Sequence, residues 1–194
     1  MRVLIACEFS GTVRRAFAAR GHEVVSCDLL PSEDDSPDHV IGRFEDMDIY
    51  PGAYDLMIAH PPCTHLAVSG ALHFAAKIAD GRQQAALDFV RLLMDAPIPR
   101  ICIENPVSVI SSKIRKPDQI IQPWMFGHTE QKTTCLWLKY MPKLIPTNDV
   151  KEAMLLLPKN KRERLHYLSP GLDRWKERSR TFQGIADAFA AQWG

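Results

Sequence analysis

Two short motifs in this 194-residue chain place a thiol and a carboxyl where they could do chemistry together. Cys63 ends a His-Pro-Pro-Cys tetrapeptide, and Glu104 begins a Glu-Asn-Pro tripeptide 41 residues later. Each follows a short apolar run, at residues 54–59 and 100–103, of the kind that forms a buried parallel strand. Because ligands of open α/β sheets lie beyond the carboxyl ends of such strands, we expect both groups to face one pocket.

The chemistry expected of these two residues is covalent attack assisted by an acid. A thiol attacks as the thiolate, and nearby backbone donors or a cation would lower the pKa of Cys63. Glu104 leaves an apolar strand, where burial is expected to raise its pKa and let it donate to a ring nitrogen. The plainer alternatives are an unreactive loop cysteine and a carboxyl that caps a helix or pairs with Arg100. A hydrolase with His65 as base is a further alternative, but the sequence shows no oxyanion hole or orienting acid.

The N-terminal elements have the order of a nucleotide-binding unit. Residues 2–7 predict a strand, and residues 11–20 predict a helix that ends at Gly21. Residues 23–27 predict a second strand, followed at once by Asp28. This strand, turn, helix, strand and acid series has the length and order of a βαβ nucleotide-binding unit.

The turn between the first strand and its helix is a candidate binding site for a polar or anionic group. It contains Glu8, Phe9, Ser10 and Gly11, and its backbone N–H groups lie at a helix N-terminus, where glycine permits close approach. It is neither the G-x-G-x-x-G of dinucleotide folds nor a phosphate loop. Asp28 could accept both hydroxyls of a ribose, and the alternative is an exposed acid at a strand end.

The rest of the chain completes one α/β domain. An amphipathic pattern predicts a helix over 81–94, β-forming residues predict a strand over 132–139, and a last helix is expected over 184–193. The polar loop at 31–39 is expected to be mobile. The sequence therefore predicts a single domain of residues 1–194 around a mostly parallel, doubly wound sheet.

The five cysteines form neither a disulfide framework nor a zinc motif, because no C-x2-C pair is present. No metal site is expected. No apolar segment has the length or flanks of a signal peptide or a membrane span, so we expect a reduced, cytoplasmic protein. Four cysteines lie in apolar runs and are expected to be small buried hydrophobic residues. They are Cys7, Cys27, Cys102 and Cys135.

Charge is distributed unevenly, although the net charge is only +1. Residues 139–180 contain 11 Lys and Arg against 5 Asp and Glu, and prolines interrupt any periodic pattern there. Residues 140–180 are therefore expected to form a basic appendage that meets a polyanion, the alternative being a solvated surface. The candidate contacts to a phosphate backbone or a stacked base are Arg174, Trp175, Arg178 and Arg180. A structural loop held by Trp175 is the other interpretation.

Taken in order along the chain, these motifs resemble the C5-cytosine DNA methyltransferases, and more narrowly their short phage and prophage members. The matching parts are Phe-Ser-Gly at 9–11, Asp28, Pro-Pro-Cys at 61–63, Glu-Asn-Pro at 104–106 and the segment 126–134. Together with the closing helix they cover most of the chain. Pro-Cys and Glu-Asn are the most specific of them.

The resemblance implies a Rossmann-like fold, S-adenosylmethionine as methyl donor and a cytosine flipped into the pocket. It implies that the Cys63 thiolate attacks C6 of the ring while Glu104 hydrogen-bonds N3 and the exocyclic amine. C5 then takes the methyl group, and β-elimination frees the thiol. The residues implied to bind the cofactor are Glu8, Phe9, Ser10, Gly11, Asp28, Leu29 and Pro61.

The chain departs from the family pattern at three motifs. The Gly-rich first motif is replaced by Cys-Glu-Phe-Ser-Gly at 7–11. The Gln-x-Arg-x-Arg motif corresponds to Gln-Lys-Thr-Thr at 131–134, so Lys132 takes the place of an arginine near the target base. The acid usual after the third strand would be Glu45 or Asp46.

A full target-recognition domain does not fit in the chain, and only residues 140–180 could replace it. Sequence specificity is therefore expected to be low, supplied by a protein partner, or absent. DNA is the expected substrate, with RNA and a free nucleotide left open. Two other classes of function remain. One is an amino-group methyltransferase, whose acid-or-Asn-Pro-Pro-aromatic signature shares only its prolines with residues 60–63; the other is a non-catalytic member of the fold that binds nucleic acid or protein.

Overall fold

Short apolar runs whose side chains alternate between two faces form one seven-stranded sheet in the computed structural model, which describes residues 1–194. The strands are β1 (Arg2–Ala6), β2 (Glu23–Asp28), β3 (His39–Ile41), β4 (Leu56–Ala59), β5 (Arg100–Pro106), β6 (Gln119–Ile121) and β7 (Thr134–Lys139).

Eight α-helices connect or follow these strands. They are α1 (Thr12–Ala18), α2 (Phe74–Ala79), α3 (Arg82–Met94), α4 (Ile110–Lys113), α5 (Lys151–Leu156), α6 (Lys159–Arg162), α7 (Arg174–Ser179) and α8 (Gln183–Trp193). Three 3-10 turns accompany them, at Phe44–Asp46, Val68–His73 and Pro123–Met125. None of the helices is long and apolar enough to cross a membrane.

The order of the strands creates a crevice in the middle of the sheet. The order is β3-β2-β1-β4-β5-β7-β6, and β7 runs in the opposite direction to the other six strands. After β1 the chain adds strands toward one edge, and with β4 it returns to the other side of β1. The loops after β1 and β4 therefore diverge at their carboxyl ends, which is where ligands of doubly wound sheets bind.

Each face of the sheet has its own hydrophobic core. Val3 and Ile5 of β1 pack with α1 and α8, whereas Leu4 and Ala6 of the same strand pack on the other side with α3. The strands β4, β5 and β7 divide their side chains in the same way. The predicted α/β class and its doubly wound, Rossmann-like, mostly parallel sheet are thus confirmed.

The predicted elements are present, whereas two strands and the short helices α2, α4, α5, α6 and α7 were missed. The predicted strands and the helices over 11–20, 81–94 and 184–193 are found with ends shifted by a few residues. The strands β3 and β6 were not predicted because three residues are too few to show an alternating pattern. The loop at 31–39 is held by ion pairs from Asp34 to Arg14 and Arg15 at 2.5 and 2.6 Å, which the prediction of a mobile loop did not anticipate.

The C-terminal helix closes one of the two cores. Trp193 is 2% exposed, stacks on Phe189 with ring centroids 4.7 Å apart, and donates its indole N–H to the carbonyl of Pro142. Arg100 of β5 donates to the Trp193 carbonyl at 3.2 Å. The last turn of α8 therefore joins the sheet to the residues that follow β7.

We expect Trp193→Ala to lower the free energy of unfolding by about 3–5 kcal/mol, because it removes a fully buried aromatic side chain. Leu156→Ala is the matched control, since Leu156 is 88% exposed on α5, and should change stability by less than about 0.5 kcal/mol. Urea denaturation followed by circular dichroism measures both. Equal stability of the two variants would contradict this packing.

Candidate active site

The candidate active site begins where β1 and β4 end side by side. Ala6 pairs with Ala59, and the backbone N–H of His60 donates to the Ala6 carbonyl at 2.9 Å. Beyond that bond one strand continues into the turn at residues 7–11 and the other into His-Pro-Pro-Cys. The turn at residues 7–11 and the His-Pro-Pro-Cys segment therefore both leave the sheet at its central crevice.

The loop that follows β4 is fastened to the end of β5 and to the residues that follow it. Asn105, which is 1% exposed, donates its amide Nδ2–H to the carbonyl of Pro61 at 2.8 Å. Backbone hydrogen bonds continue this contact beyond Cys63, so the thiol sits on a loop held at both ends. These bonds, both 3.0 Å long, join Val68 to Val107 and Val109 to Leu66.

Glu104 is a buried carboxylate that receives a hydrogen bond from a histidine. His60 Nδ1 lies 2.9 Å from Glu104 Oε2, and the two side chains are 9% and 12% exposed. Because a carboxylate only accepts, the hydrogen of this bond is on Nδ1. Burial alone would raise the pKa of Glu104, but the His60 hydrogen bond, the charge of Lys132 and the Thr134 hydroxyl together lower it.

The expectation of a raised Glu104 pKa is therefore wrong. The sequence showed the apolar strand that buries the carboxyl, but it did not show that a histidine 44 residues away would donate to it. Opposite charge and a hydrogen bond to the ionised form both favour that form. At rest Glu104 is ionised, and it needs a proton before it can donate to a ring.

Cys63 is exposed, and its carbonyl accepts the N–H groups of Leu66 and Ala67 in a tight turn. Protein atoms around its sulfur and the negative charge of Glu104 raise its thiol pKa, and the positive charges of Lys132 and Arg178 only partly oppose this. The expectation that nearby donors and cations would lower the pKa is thus wrong in its net direction. Lys132 and Arg178 were both expected near the substrate, and their electrostatic effect on the thiol indicates that both lie near Cys63.

Several buried polar atoms in the two fastened loops have no hydrogen-bond partner in the protein. They are His60 Nε2, His65 Nδ1, Asn105 Oδ1 and Ser108 Oγ. A buried polar group without a partner costs about 1–3 kcal/mol, so such groups are rare unless a ligand or water meets them. These atoms near Cys63 are therefore available to a polar ligand or to water.

The first turn binds its own helix. The chain leaves β1 through Cys7, at a left-handed φ of +60°, and Glu8 then turns beneath α1. The carboxylate of Glu8, 5% exposed, accepts the N–H groups of Val13 at 2.6 Å and Arg14 at 3.1 Å, while Ser10 Oγ accepts that of Thr12. The expectation that an anionic ligand would bind the first N–H groups of α1 is corrected, because Glu8 and Ser10 already satisfy them. The N–H groups of residues 9–11 in the turn itself have no acceptor in the protein, so their binding role stays a prediction.

Gly11 is required by its neighbours in the protein. Its φ is +66°, and a Cβ there would meet the guanidinium groups of Arg14 and Arg15 at 2.7 Å and the Asp34 carboxylate at 3.0 Å. The close approach that its sequence position suggested is made by this ion cluster, which lowers the pKa of Asp34. Asp34 thus fixes the loop after β2 against the start of α1.

Asp28 lies at the carboxyl end of β2, as predicted, and is half-buried. Burial raises its pKa, while the backbone N–H of Leu30 donates to Oδ1 at 3.0 Å and the charges of His39 and His60 act in the opposite direction. Its Oδ2 has no protein partner among the hydrogen bonds. The adjacent Leu29 is 70% exposed, so an apolar face and a carboxylate oxygen both point away from the core here.

The basic appendage folds back over the first turn. Trp175 of α7 packs on Phe9 with ring centroids 5.8 Å apart, and Arg180 pairs with Glu33 at 2.6 Å. Lys132 Nζ donates to the Arg180 carbonyl at 3.2 Å. The appendage is therefore anchored from both sides of the crevice, next to the turn expected to bind a cofactor.

The four residues of the appendage that are predicted to contact nucleic acid differ in their exposure and in their protein partners. Arg178 is exposed and makes no ion pair, and Trp175 keeps 51% of its surface exposed. Arg174 donates to the His166 carbonyl, and Arg180 is occupied by Glu33 and Glu177. The structural interpretation of Trp175 is therefore supported by its packing on Phe9, and its contact with nucleic acid stays a prediction.

Other sequence-based assignments follow the expected burial. Cys27, Cys102 and Cys135 are buried in the sheet and Cys7 is partly buried, so Cys63 is the one exposed thiol. Sequence reasoning missed the roles of His60 and Asn105, although both belong to the motifs it selected. The only signal available was that a polar residue stood directly after each buried strand.

Comparison with known proteins adds little beyond the fold. No family model matches the chain, and no curated protein matches it significantly. A solved structure that it does match is a candidate DNA modification methyltransferase encoded within a prophage of E. coli, at 18% sequence identity and a TM-score of 0.49. The match covers 82% of this chain and 56% of that one, so this chain spans about half of its length.

We expect Glu104→Gln to lower the thiol pKa of Cys63, because it removes the negative charge that opposes the thiolate, and Lys132→Met to raise it. The measurement is the rate of iodoacetamide modification of Cys63 between pH 6 and 10, with peptide mass spectrometry to identify the site. The buried thiol of Cys102 serves as an internal control that should not react. Shifts of the same sign in both variants would contradict the arrangement.

Proposed function

We propose that this protein is a DNA cytosine C5-methyltransferase that uses S-adenosylmethionine and forms a covalent adduct through Cys63. The main support is the fastening of two strand-end loops, which puts an exposed thiol beside a buried, histidine-bound carboxylate at the central crevice. The protein is expected to act in the cytoplasm on DNA. The resemblance of the sequence motifs supplies the substrate, which the geometry alone leaves open.

In this proposal Cys63 supplies an electron pair to the cytosine ring, and Glu104 supplies a proton. The Cys63 sulfur forms a bond to C6 of cytosine, while Glu104, once protonated, gives its proton to N3 and accepts from the exocyclic amine. The ring becomes an enamine with electron density at C5. After methylation the C5 proton leaves to a base, the bond from sulfur to C6 breaks, and the N3 proton returns to Glu104.

Lys132 has a supporting electrostatic role. Its ammonium group stabilises the ionised form of Glu104 and opposes the raised pKa of Cys63. It therefore helps to hold charge on both reacting residues, as the arginine in the same motif would. Its bond to the Arg180 carbonyl also connects this charge to the appendage.

The nucleoside half of S-adenosylmethionine fits the crevice better than the methionine half. Asp28 offers a free carboxylate oxygen for ribose hydroxyls, and Leu29 offers an exposed apolar face for a purine. Phe9 and Pro61 flank the same crevice. Because Glu8 occupies the N-terminus of α1, a carboxylate of the cofactor must find other donors. When bound, the cofactor supplies the methyl group.

Residues 140–180 are proposed to hold the nucleic acid in place of a target-recognition domain. Their excess of positive charge, the exposed Arg178 and the open face of Trp175 suit a phosphate backbone and a base. So small a surface reads few bases, and a protein partner is one source of additional specificity.

Trapping tests the covalent mechanism. Incubation with S-adenosylmethionine and DNA containing 5-fluorocytosine should give a stable adduct at Cys63, because fluorine cannot leave as the C5 proton does. Intact-mass and peptide mass spectrometry detect it. Glu104→Gln should slow its formation at least about 10²-fold, a typical effect of losing a general acid, and Cys63→Ser should abolish it.

The substrates and controls separate the alternatives. Double-stranded DNA, single-stranded DNA, RNA and dCTP are tested in parallel, with unmodified cytosine as the control that should not trap. Methyl transfer that survives in Cys63→Ser would indicate an amino-group methyltransferase. If calorimetry detected no binding of S-adenosylmethionine or S-adenosylhomocysteine at millimolar concentration, the protein would be a non-catalytic binding factor.

We expect Arg178→Ala to weaken DNA binding and to reduce the slope of log K against log salt by about 0.9, the effect of one lost phosphate contact. Arg43→Ala is the matched control, because Arg43 is an exposed arginine that pairs with Glu45 away from the appendage. Fluorescence anisotropy over a series of salt concentrations measures both. An unchanged slope in Arg178→Ala would exclude a phosphate contact there.

A further inference from the structure

His60 is bonded on one side and open on the other. Its Nδ1–H donates to Glu104, while its Nε2 is buried and has no partner in the protein. A neutral imidazole with its hydrogen on Nδ1 has an acceptor at Nε2 that can take a second proton. The ring can therefore store one proton beside a carboxylate that must gain and lose one.

We propose that His60 is a positioning residue that fixes Glu104 and supplies, through Glu104, the proton delivered to the target ring. This inference rests on the proposed function and adds a role that the motifs did not assign. One proton passes to the ring during the attack and returns after the bond from sulfur to C6 breaks. His60, protonated on both nitrogens, passes its Nδ1 proton to Glu104 Oε2, and Glu104 passes a proton to N3 of the ring.

The step starts from the Cys63 thiolate, whose proton has left to solvent, and from His60 protonated on both nitrogens. After the transfer His60 is neutral with its hydrogen on Nε2, Glu104 is again a carboxylate, and the ring carries the proton while sulfur is bonded to C6. When that bond breaks, the proton returns from N3 to Glu104 and then to Nδ1. No additional acid is needed during turnover.

The surroundings of His60 are suited to holding positive charge. Glu104 on β5 contacts it directly, and the charge of His60 also acts on the carboxyl of Asp28 at the end of β2, although burial raises the pKa of Asp28 overall. Lys132 opposes the charge from the side of Glu104, and the Cys63 thiol follows on the loop of His60 itself. Two carboxylates thus face the ring against one ammonium group.

A first measurement examines the pair without any substrate. Nitrogen-15 NMR of labelled histidine, with His60→Asn to assign the signal, should show neutral His60 carrying its hydrogen on Nδ1. Glu104→Ala should release this tautomer, because the acceptor that selects it is lost. Neutral His60 protonated on Nε2, or a tautomer indifferent to Glu104→Ala, would overturn the proposal.

A second measurement separates proton supply from positioning. In His60→Asn the amide Nδ2–H can still donate to Glu104, but the side chain cannot store a proton. We expect the rate of adduct formation with 5-fluorocytosine DNA to fall about 10²-fold. The pH dependence of the rate should also differ from that of the wild type, because Glu104 must then take its proton from solvent.

The control variant is His22→Asn, which lies before β2 at the opposite edge of the sheet and should keep the wild-type rate and profile. A wild-type rate and profile in His60→Asn would overturn proton supply. If wild-type protein formed no adduct on any substrate while the NMR result held, the proposed function would fail and the relay to a ring with it, leaving only the hydrogen-bonded pair.

Discussion

The bond from the Asn105 amide to the Pro61 carbonyl determines whether this chain has a site at all. Two parallel strands bring their ends to one edge, but the loops beyond them are free to diverge. Asn105 holds the Pro-Pro segment against β5, and the backbone bonds around Val107 continue this contact past Cys63. A thiol and a carboxyl separated by 41 residues are thereby kept together before any ligand enters, which is the arrangement that makes catalysis by positioning effective.

The first turn is likewise fixed by contacts within the protein. A Gly-rich turn leaves the first N–H groups of its helix to a ligand, whereas here the Glu8 carboxylate accepts those of Val13 and Arg14 and stabilises the start of α1. The ion cluster of Asp34 with Arg14 and Arg15 then fills the space above Gly11. The groups that remain free to bind a ligand are those of Asp28 and Leu29, and Trp175 of the appendage packs on Phe9.

The sequence predicted what depends on local pattern. Apolar runs gave the strands, a 3.6-residue period gave α3, and polar residues directly after buried strands gave Cys63, Glu104 and Asp28. It failed where the outcome depends on partners distant in the chain. The pKa of Glu104 is set by His60 and Lys132, and that of Cys63 by Glu104, so both directions were reversed by contacts that no single motif contains. The donors at α1 likewise bind Glu8, whose side chain reaches forward five residues to the Val13 N–H.

The two reversed pKa shifts belong to one coupled system. At rest Glu104 is ionised and Cys63 is protonated, and attack on a ring needs the opposite, a protonated carboxyl and a thiolate. In the proposed relay Glu104 takes its proton from His60, and the thiol proton of Cys63 leaves to solvent. Because the Glu104 charge is itself a cause of the raised Cys63 pKa, placing a proton on Glu104 removes an obstacle to the thiolate. An exposed cysteine can in this way remain unreactive until a ring that accepts the proton occupies the crevice.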